Sequence, residues 1–226
     1  MVQTVKSRTL VRALVPIGIV VVLVILIAAG AIATVRPIKG AQSVEAIANG
    51  GTAFSPSQYV QSIWESRVIP AANGTTLTLD KLIPALQKDP AQAEKDFGHN
   101  VGGAANFIVT FSGIVTKIDT SSPTGSITVN VPYSGGDLAV NVQVGPVILG
   151  TSLRDSMPFI SFGQFLNQVQ YGSVADELNS QVERSVVSKL DLKSLMGKKI
   201  TIRGSFTYDS TNVKDILVTP IVMAIG

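Results

Sequence analysis

The chain has 226 residues, no cysteine, one histidine and a formal charge of +3 at pH 7. Without cysteine it has no disulfide, thiolate metal site or lipid-modified cysteine, and a single histidine excludes histidine clusters for zinc or iron. Three of its 18 basic residues, Lys6, Arg8 and Arg12, precede Arg36, and the other 15 balance 15 acidic residues. This neutral remainder argues against a nucleic-acid partner.

The N-terminal part of the sequence contains a long apolar segment. Residues 13–35 are uncharged and mostly apolar, and about 20 helical residues suffice to cross the hydrocarbon core of a bilayer. They predict a transmembrane anchor. A cleavable signal peptide is the alternative, because Ala31, Ile32 and Ala33 have the A-x-A spacing of a cleavage site. The basic flank, residues 1–12, favours a cytoplasmic N-terminus, which predicts a single-pass cell-membrane protein with an extracytoplasmic C-terminal domain.

A tether and a helical region follow the predicted anchor. Residues 36–53 are mostly small and polar, with glycines, which predicts a tether to a folded domain. Residues 54–106 are interpreted as a small helical layer. Ser55 and Asp89 each precede a proline and stand three residues before a glutamine, a pattern typical of a helix N-cap. Asp80 is the predicted cap of a short helix between them.

Two residues of this layer are weighed for function. Trp64 lies on the apolar stripe of the first predicted helix, so we expect it in the core, and a partner-facing patch with Tyr59 is the alternative. His99 lies in the glycine-containing residues 98–106, interpreted as a mobile surface loop. No G-x-S-x-G motif accompanies it, so a catalytic role for this histidine is not expected.

From residue 107 the pattern changes to stretches rich in β-branched and aromatic residues, separated by turn-forming residues. A helical stretch at 174–190 interrupts the series, and Ser173 is its predicted cap. Gly113 and Gly204 stand among alternating apolar residues, where we expect a bulge or bend in each strand. The predicted strands are 107–118, 126–131, 137–144, 198–208 and 214–224.

The order β-β-β-α-β-β is that of an OB-fold, a five-stranded partly open barrel. The predicted fold class is therefore α+β, with an N-terminal transmembrane helix, a small helical layer, and an OB-like barrel over residues 107–226 whose helix lies between strands 3 and 4. OB-folds often bind nucleic acid or oligosaccharide. Here four phenylalanines occupy apolar-period positions expected in the core, namely Phe107, Phe111, Phe162 and Phe165.

Polar residues of varied type concentrate in residues 145–168. Arg154 can pair bidentately with a carboxylate or phosphate, and Asp155 can accept hydrogen bonds from hydroxyls. Asn167 and Gln168 can bind a small polar ligand or a partner's backbone. These four are the candidate ligand- or partner-binding residues. The structural alternative, which we favour, is that Arg154 and Asp155 fix an extended crossover against the barrel while the two amides cap backbone groups.

Chemistry beyond binding has little support in the sequence. No catalytic, cofactor-binding or metal-binding residue is assigned, and Asp176 with Glu177 is interpreted as a solvated helix face. An envelope hydrolase or transferase using residues 145–168 is an alternative function, although no recognisable nucleophile–base pair or metal cluster accompanies that segment. We therefore expect a protein that is not an enzyme.

Two consecutive motifs carry a family resemblance. Residues 145–155 read GPVILGTSLRD, and residues 159–168 read FISFGQFLNQ. They resemble the domain of unknown function 2291 family of predicted periplasmic lipoproteins, whose pattern is approximately GPVIRGTALRD followed by FISFNDFTNQ. The resemblance spans roughly residues 54–224. It implies membrane-attached export and frequent encoding beside sugar ABC-transport genes, with no assigned reaction.

The chain departs from this family in having no cysteine that could carry a lipid, so the predicted contact with the lipid bilayer comes from residues 13–35. The predicted function is a non-enzymatic accessory or binding module. Its predicted protein partner, an ABC transporter or solute-binding subunit, rests on the resemblance alone. A purely structural envelope protein is a further alternative.

Overall fold

A computed structural model describes residues 54–211 and 215–226. The predicted cytoplasmic flank (1–12), anchor (13–35) and tether (36–53) lie outside these residues, as does Lys214, the predicted start of the last strand. Within the described part, no helix is long and apolar enough to cross a membrane.

The predicted helical layer is present in the described residues. Ser55 and Asp89 cap the first and last of its helices as predicted, accepting the N–H groups of Gln58 and Gln92 at 3.3 and 3.1 Å. Trp64 is buried in the core, as expected, and begins a π-helical turn. The helices are α1 (Pro56–Ile63), α2 (Ile69–Gly74), α3 (Leu79–Lys88) and α4 (Pro90–Phe97), with the π-helical turn Trp64–Val68 joining α1 to α2.

The predicted cap of α3 was wrong. Thr78 is the cap, and its hydroxyl accepts the N–H of Lys81 at 3.2 Å. Asp80 instead lies in the first turn of α3, where its carboxylate accepts the N–H of Ser134 at 2.7 Å. That donor is 54 positions away in the sequence, so local spacing gives no indication that it competes for the carboxylate.

The five predicted strands are all present, each within three residues of its predicted ends. They are preceded by one short strand. The strands are β1 (His99–Val101), β2 (Ala104–Asp119), β3 (Ser126–Tyr133), β4 (Gly136–Gln143), β5 (Lys199–Thr207) and β6 (Ile216–Ile225). They pair in the order β1-β2-β3-β4-β6-β5, and β2 also pairs with β5, so the sheet closes on itself. The β4–β6 pair is parallel.

The short strand β1 corrects the prediction of a mobile loop at residues 98–106. It pairs antiparallel with the start of β2, with His99 opposite Asn106. Gly102 and Gly103 form the two-residue turn at φ values of +62° and +88°, a conformation that glycine adopts without strain. The prediction was wrong because the glycine pair was interpreted as a loop rather than as a tight hairpin turn.

Gly113 in β2 and Gly204 in β5 lie where neighbouring strands approach too closely for a side chain. A Cβ atom at Gly113 would collide with the carbonyl oxygen of Asn130, and one at Gly204 would lie 2.6 Å from the carbonyl oxygen of Thr219. The pairing register of each strand shifts close to its glycine. The shift beside Gly204 and the shift two residues after Gly113 are irregularities of the kind that a bulge or bend produces.

One long helix lies between β4 and β5, as predicted, but it begins earlier than residue 174. Asn167 caps it, accepting the N–H of Gln170 at 2.9 Å, whereas Ser173 lies inside the helix. The predicted start was wrong because Gln170, a polar residue, occupies a buried position of the first turn and interrupts the apolar stripe. The elements of this region are α5 (Ser152–Asp155), a 3₁₀ turn (Phe162–Gln164), α6 (Gln168–Ser185) and two further 3₁₀ turns (Val187–Lys189 and Leu192–Ser194).

The helices and the sheet share one hydrophobic core. It includes Val60 of α1, Leu82 of α3 and Leu178 of α6 together with Phe107 of β2 and Val140 of β4. The described part of the chain is thus a mixed α+β unit in which a helical layer and α6 pack against a closed sheet.

Candidate functional site

The chain between β4 and α6 runs along the closed sheet, and we call residues 144–167 the crossover. At its start, the N–H groups of Val144 and Gly145 both donate to the carbonyl of Gly125 at 2.9 Å, in the loop after β2. Further along, His99 of β1 donates through Nδ1–H to the carbonyl of Asp155 at 2.6 Å. Since β1 pairs with the beginning of β2, the crossover passes from one end of β2 to the other.

His99 is therefore not a surface-loop histidine, which corrects the sequence interpretation. It lies on β1, and its side chain is half-buried. Because a carbonyl oxygen can only accept, the imidazole carries its proton on Nδ1 in this contact. His99 thus fixes the main chain of the crossover where α5 ends.

Arg154 and Asp155, both in α5, form a buried ion pair. They are 5% and 6% exposed. The guanidinium Nε and Nη2 atoms each lie 2.7 Å from Oδ1 of Asp155. The third nitrogen, Nη1, donates to the carbonyl of Tyr171 at 3.0 Å, and the guanidinium lies 3.7 Å from the centre of the Tyr171 ring. The buried charge is thus matched by an opposite charge, a carbonyl and an aromatic face. We call Arg154, Asp155 and Tyr171 the ion-pair cluster.

Tyr171 completes the cluster as a donor. Its phenol O–H donates to Oδ1 of Asp155 at 3.2 Å. Burial raises the pKa of the Tyr171 phenol, and the charge of Arg154 partly opposes that increase. The phenol therefore stays protonated near neutral pH, which keeps it able to donate to the carboxylate.

The other two candidate residues have local roles. Asn167 is exposed and caps α6, and Gln168 is exposed as the first residue of that helix. The structure thus brings Arg154 and Asp155 together in the core and leaves Asn167 and Gln168 at the surface. Asn167 caps backbone groups, as the structural alternative predicts. The side chains of Arg154 and Asp155 bond to each other and to Tyr171 of α6 instead of fixing an extended segment against the barrel. Binding roles for all four residues stay predictions. Within residues 54–211 and 215–226, no group of three or more metal-ligating side chains could hold an ion.

Sequence reasoning missed a cleft of about 320 Å³ between residues 146–149 and α6. Val147 and Leu149 expose apolar surface there, and Asp176 and Glu183 of α6 supply two carboxylates. None of the described residues that line it is basic. We call these four residues the acidic cleft. Exposed apolar surface beside carboxylates favours a partner that is both apolar and cationic.

Buried amide side chains fix the wall of the acidic cleft. Asn179 donates through Nδ2 to the carbonyl of Gly150 at 2.8 Å. The side chain of Gln143 accepts the N–H of Leu149 at 2.8 Å and donates to its carbonyl at 3.0 Å. Because the backbone N–H and carbonyl of Leu149 are both bonded, its main chain is held in a position that exposes the apolar side chain.

A second surface lies around the start of α6. Phe162, Leu166 and Val169 are 51%, 47% and 77% exposed, and we call them the apolar face. The expectation that Phe162 lies in the core was wrong, because it begins a 3₁₀ turn that leaves its ring exposed, whereas Phe165 is buried as expected. One sequence signal could have indicated this surface: residues 156–175 contain no charged side chain.

Aromatic rings support the apolar face from below. The ring of Phe165 lies 5.6 Å from that of Phe54 and 5.3 Å from that of Tyr59, in edge-to-face arrangements. The ring of Phe162 packs edge-on against Tyr171 at 5.6 Å, which connects the face to the ion-pair cluster. Such pairs favour defined geometries, so the face rests on an ordered layer.

The described fold resembles a known structure. It matches the crystal structure of an OB-fold protein from Thermotoga maritima with a TM-score of 0.62 and 19% identity, over 77% of this chain and 100% of that chain. This match confirms the expected OB-fold relationship at the level of the fold. A search of curated proteins finds no match. The family model described as predicted periplasmic lipoprotein matches residues 20–224, so the chain belongs to the domain of unknown function 2291 (DUF2291) family, as its two motifs predicted.

Proposed function

We propose that this protein is a membrane-anchored, extracytoplasmic accessory module without enzymatic activity, and that its acidic cleft binds a segment of a membrane transport assembly. The cleft is the observation that carries the proposal. Its apolar side chains are exposed. Hydrogen bonds with Gln143 and Asn179 hold the backbone around Leu149. A fixed, exposed apolar surface beside two carboxylates is typical of a recognition surface.

The chemistry of the cleft points to a basic, apolar segment of the partner. Asp176 and Glu183 lie two turns apart on α6, and Ser180 between them also lines the cleft. A lysine or arginine side chain can place its aliphatic part against Val147 and Leu149 while its charge approaches a carboxylate. A volume of about 320 Å³ is at the small end of ligand sites, which suits one or two side chains of a partner.

Location and partner class have separate support. The family description supports an extracytoplasmic, membrane-associated protein, and the charge before residues 13–35 supports anchoring with the N-terminus in the cytoplasm. The proposed transport assembly, in particular one for sugars, follows from the resemblance of the 145–168 motifs.

Crosslinking in native membranes tests this proposal. The full-length chain is crosslinked, purified by a C-terminal tag and compared with Leu149→Asp and Asp176→Lys. We expect subunits of a transporter or its solute-binding protein with the wild type, reduced about tenfold with either variant. Leu217→Asp is the matched control, because Leu217 is 47% exposed against 55% for Leu149 and lies on β6 outside the cleft. Retention of the same subunits by both cleft variants would contradict the proposal.

The two alternative functions make different demands on the molecule. A hydrolase or transferase that uses the crossover needs Arg154 and Asp155 within reach of a substrate, and the burial of both residues in the ion-pair cluster argues against it. A purely structural envelope protein predicts that deletion weakens the envelope and leaves solute uptake unchanged. The accessory module predicts the reverse.

A further inference from the structure

We propose that the apolar face docks on the lipid surface of the membrane to which the chain is attached. The face comprises Phe162, Leu166 and Val169, and it is a different surface from the acidic cleft. Lipid contact there orients the domain, whereas the cleft binds a protein partner.

The composition of the face fits a bilayer interface. Three large apolar side chains are exposed within eight residues, in a stretch of 20 residues without charge. Single exposed apolar residues are common on soluble proteins and need no explanation, but a group rarely forms without a binding role. Phenylalanine, leucine and valine are side chains that enter the boundary between headgroups and acyl chains, where a charged neighbour would oppose insertion.

The backbone beneath the face is prepared for a medium that offers few hydrogen bonds. The N–H of Ser161 donates to Oε1 of Gln164 at 3.0 Å, and the N–H of Leu166 donates to Oε1 of Gln170 at 2.9 Å. Asn167 caps the start of α6. Unpaired backbone groups make lipid contact costly, and these side chains remove much of that cost.

The preceding chain joins the folded domain at this face. Phe54 is the first described residue, and its ring contacts that of Phe165, which lies in sequence between Phe162 and Leu166. The predicted tether has 18 residues, from 36 to 53. Fully extended, it spans at most about 65 Å. With residues 13–35 in the membrane, a link of that length keeps the face at a local concentration on the order of millimolar relative to the bilayer, so weak insertion is enough.

The acidic cleft agrees with this orientation. Asp176 lies seven residues after Val169 on α6, and Glu183 lies a further two turns along. A lipid surface that contains anionic phospholipids repels carboxylates. When the start of α6 contacts lipid, these carboxylates lie further along the helix and stay accessible to a partner.

The absence of cysteine makes a site-specific test simple. The full-length chain with Val169→Cys carries an environment-sensitive fluorophore and is reconstituted in vesicles of phosphatidylethanolamine and phosphatidylglycerol containing a lipid-borne nitroxide quencher. Met196→Cys is the control, because Met196 is 53% exposed. It precedes Gly197, whose N–H donates to the carbonyl of Val115 in the half of β2 that is remote from β1. We expect quenching at position 169 to be at least about threefold stronger than at position 196.

A second variant separates lipid contact from other effects. Adding Phe162→Ser and Leu166→Ser to the labelled chain should reduce quenching at position 169 to the level of position 196, while Leu149→Asp should leave it unchanged. Equal quenching at both positions overturns the proposal, because the predicted anchor attaches the chain to the vesicles whether or not the apolar face contacts lipid. Protection of position 169 in native membranes without quenching in vesicles also overturns it, because a protein would then cover the face. None of these outcomes changes the expected loss of partner with Leu149→Asp.

Discussion

The crossover and the start of α6 have two sides that reverse the usual distribution of residues. On the inner side, Arg154 and Asp155 carry the charges of the first motif into the core. On the outer side, Phe162, Leu166 and Val169 expose apolar surface. Buried charge and exposed apolar surface are the two departures from the ordinary pattern that carry information.

The compositions of the two sides therefore have different physical causes. The inner side needs no partner outside the chain, because each charge there is matched by a group within it. On the outer side, Phe162 contacts Tyr171 with its edge, but all three apolar side chains stay exposed and no described residue covers them. Stability measurements should therefore separate the two sides, and the following variants test that separation.

The largest effect is expected from Arg154→Met. Removing the guanidinium leaves Asp155 buried without its opposite charge, which should lower the free energy of unfolding by about 3–5 kcal/mol. Urea unfolding of the full-length chain can be followed by the fluorescence of Trp64, the one tryptophan in the sequence and a buried one.

The double variant Arg154→Met with Asp155→Leu is the control for this experiment. Two apolar residues of similar size remove the unpaired charge, so most of the lost stability should return. A cost below about 1 kcal/mol for Arg154→Met alone would show that water reaches Asp155. The charges of the inner side would then be solvated, and the inner side would not differ from an exposed surface.

An intermediate effect is expected from Asn179→Ala. Its Nδ2 donates to the carbonyls of Gly150 and Ile148 at 2.8 and 3.4 Å, so the substitution leaves acceptors at the wall of the acidic cleft without this donor. A loss of about 1–3 kcal/mol should follow in urea unfolding. Ser180→Ala is the matched control one residue later, because the exposed hydroxyl of Ser180 bonds only the carbonyl of Asp176 in its own helix. Equal costs for both variants would contradict a structural role of Asn179 at the cleft.

A smaller effect, with a pH signature, is expected from Tyr171→Phe. The variant keeps the ring and loses the hydrogen bond to Asp155, which should cost about 1 kcal/mol near neutral pH. Burial raises the pKa of Tyr171 in the folded state, so the fold disfavours the phenolate. The contribution of Tyr171 to the free energy of unfolding is therefore fully present below the ordinary pKa of about 10. It is lost as the pH rises from there through the raised pKa of the folded state. The variant should therefore lose less stability above about pH 10, and parallel pH curves would contradict this assignment.

Much of the fold was predictable because its signals are local. Strand ends follow from alternation and turn residues, and the caps Ser55 and Asp89 act on N–H groups three positions away. The prediction that Asp80 caps α3 was wrong because its carboxylate accepts the N–H of Ser134, far along the chain. The β1 hairpin was not predicted because a glycine pair is compatible with either a loop or a tight turn.

The candidate site was less predictable because its contacts are not local. The sequence indicates that Arg154 and Asp155 are important, but their burial depends on Tyr171, which lies 17 and 16 positions after them. The outward position of Phe162 depends on a 3₁₀ turn, which shifts the apolar period by less than one residue. Spacing alone therefore placed Phe162 on the wrong side, although it placed Phe165 correctly in the core.

The smallest effect on stability is expected from Val169→Ser on the outer side. Val169 is the most exposed residue of the apolar face, so the free energy of unfolding in detergent solution should change by no more than about 0.5 kcal/mol. Phe165→Ala, in the buried layer beneath, should cost about 3–5 kcal/mol in the same measurement. A loss above about 1.5 kcal/mol for Val169→Ser would mean that other residues of the chain cover the face. The apolar face would then be part of the core, and the buried ion pair would be the one remaining departure from the ordinary distribution of residues in this region.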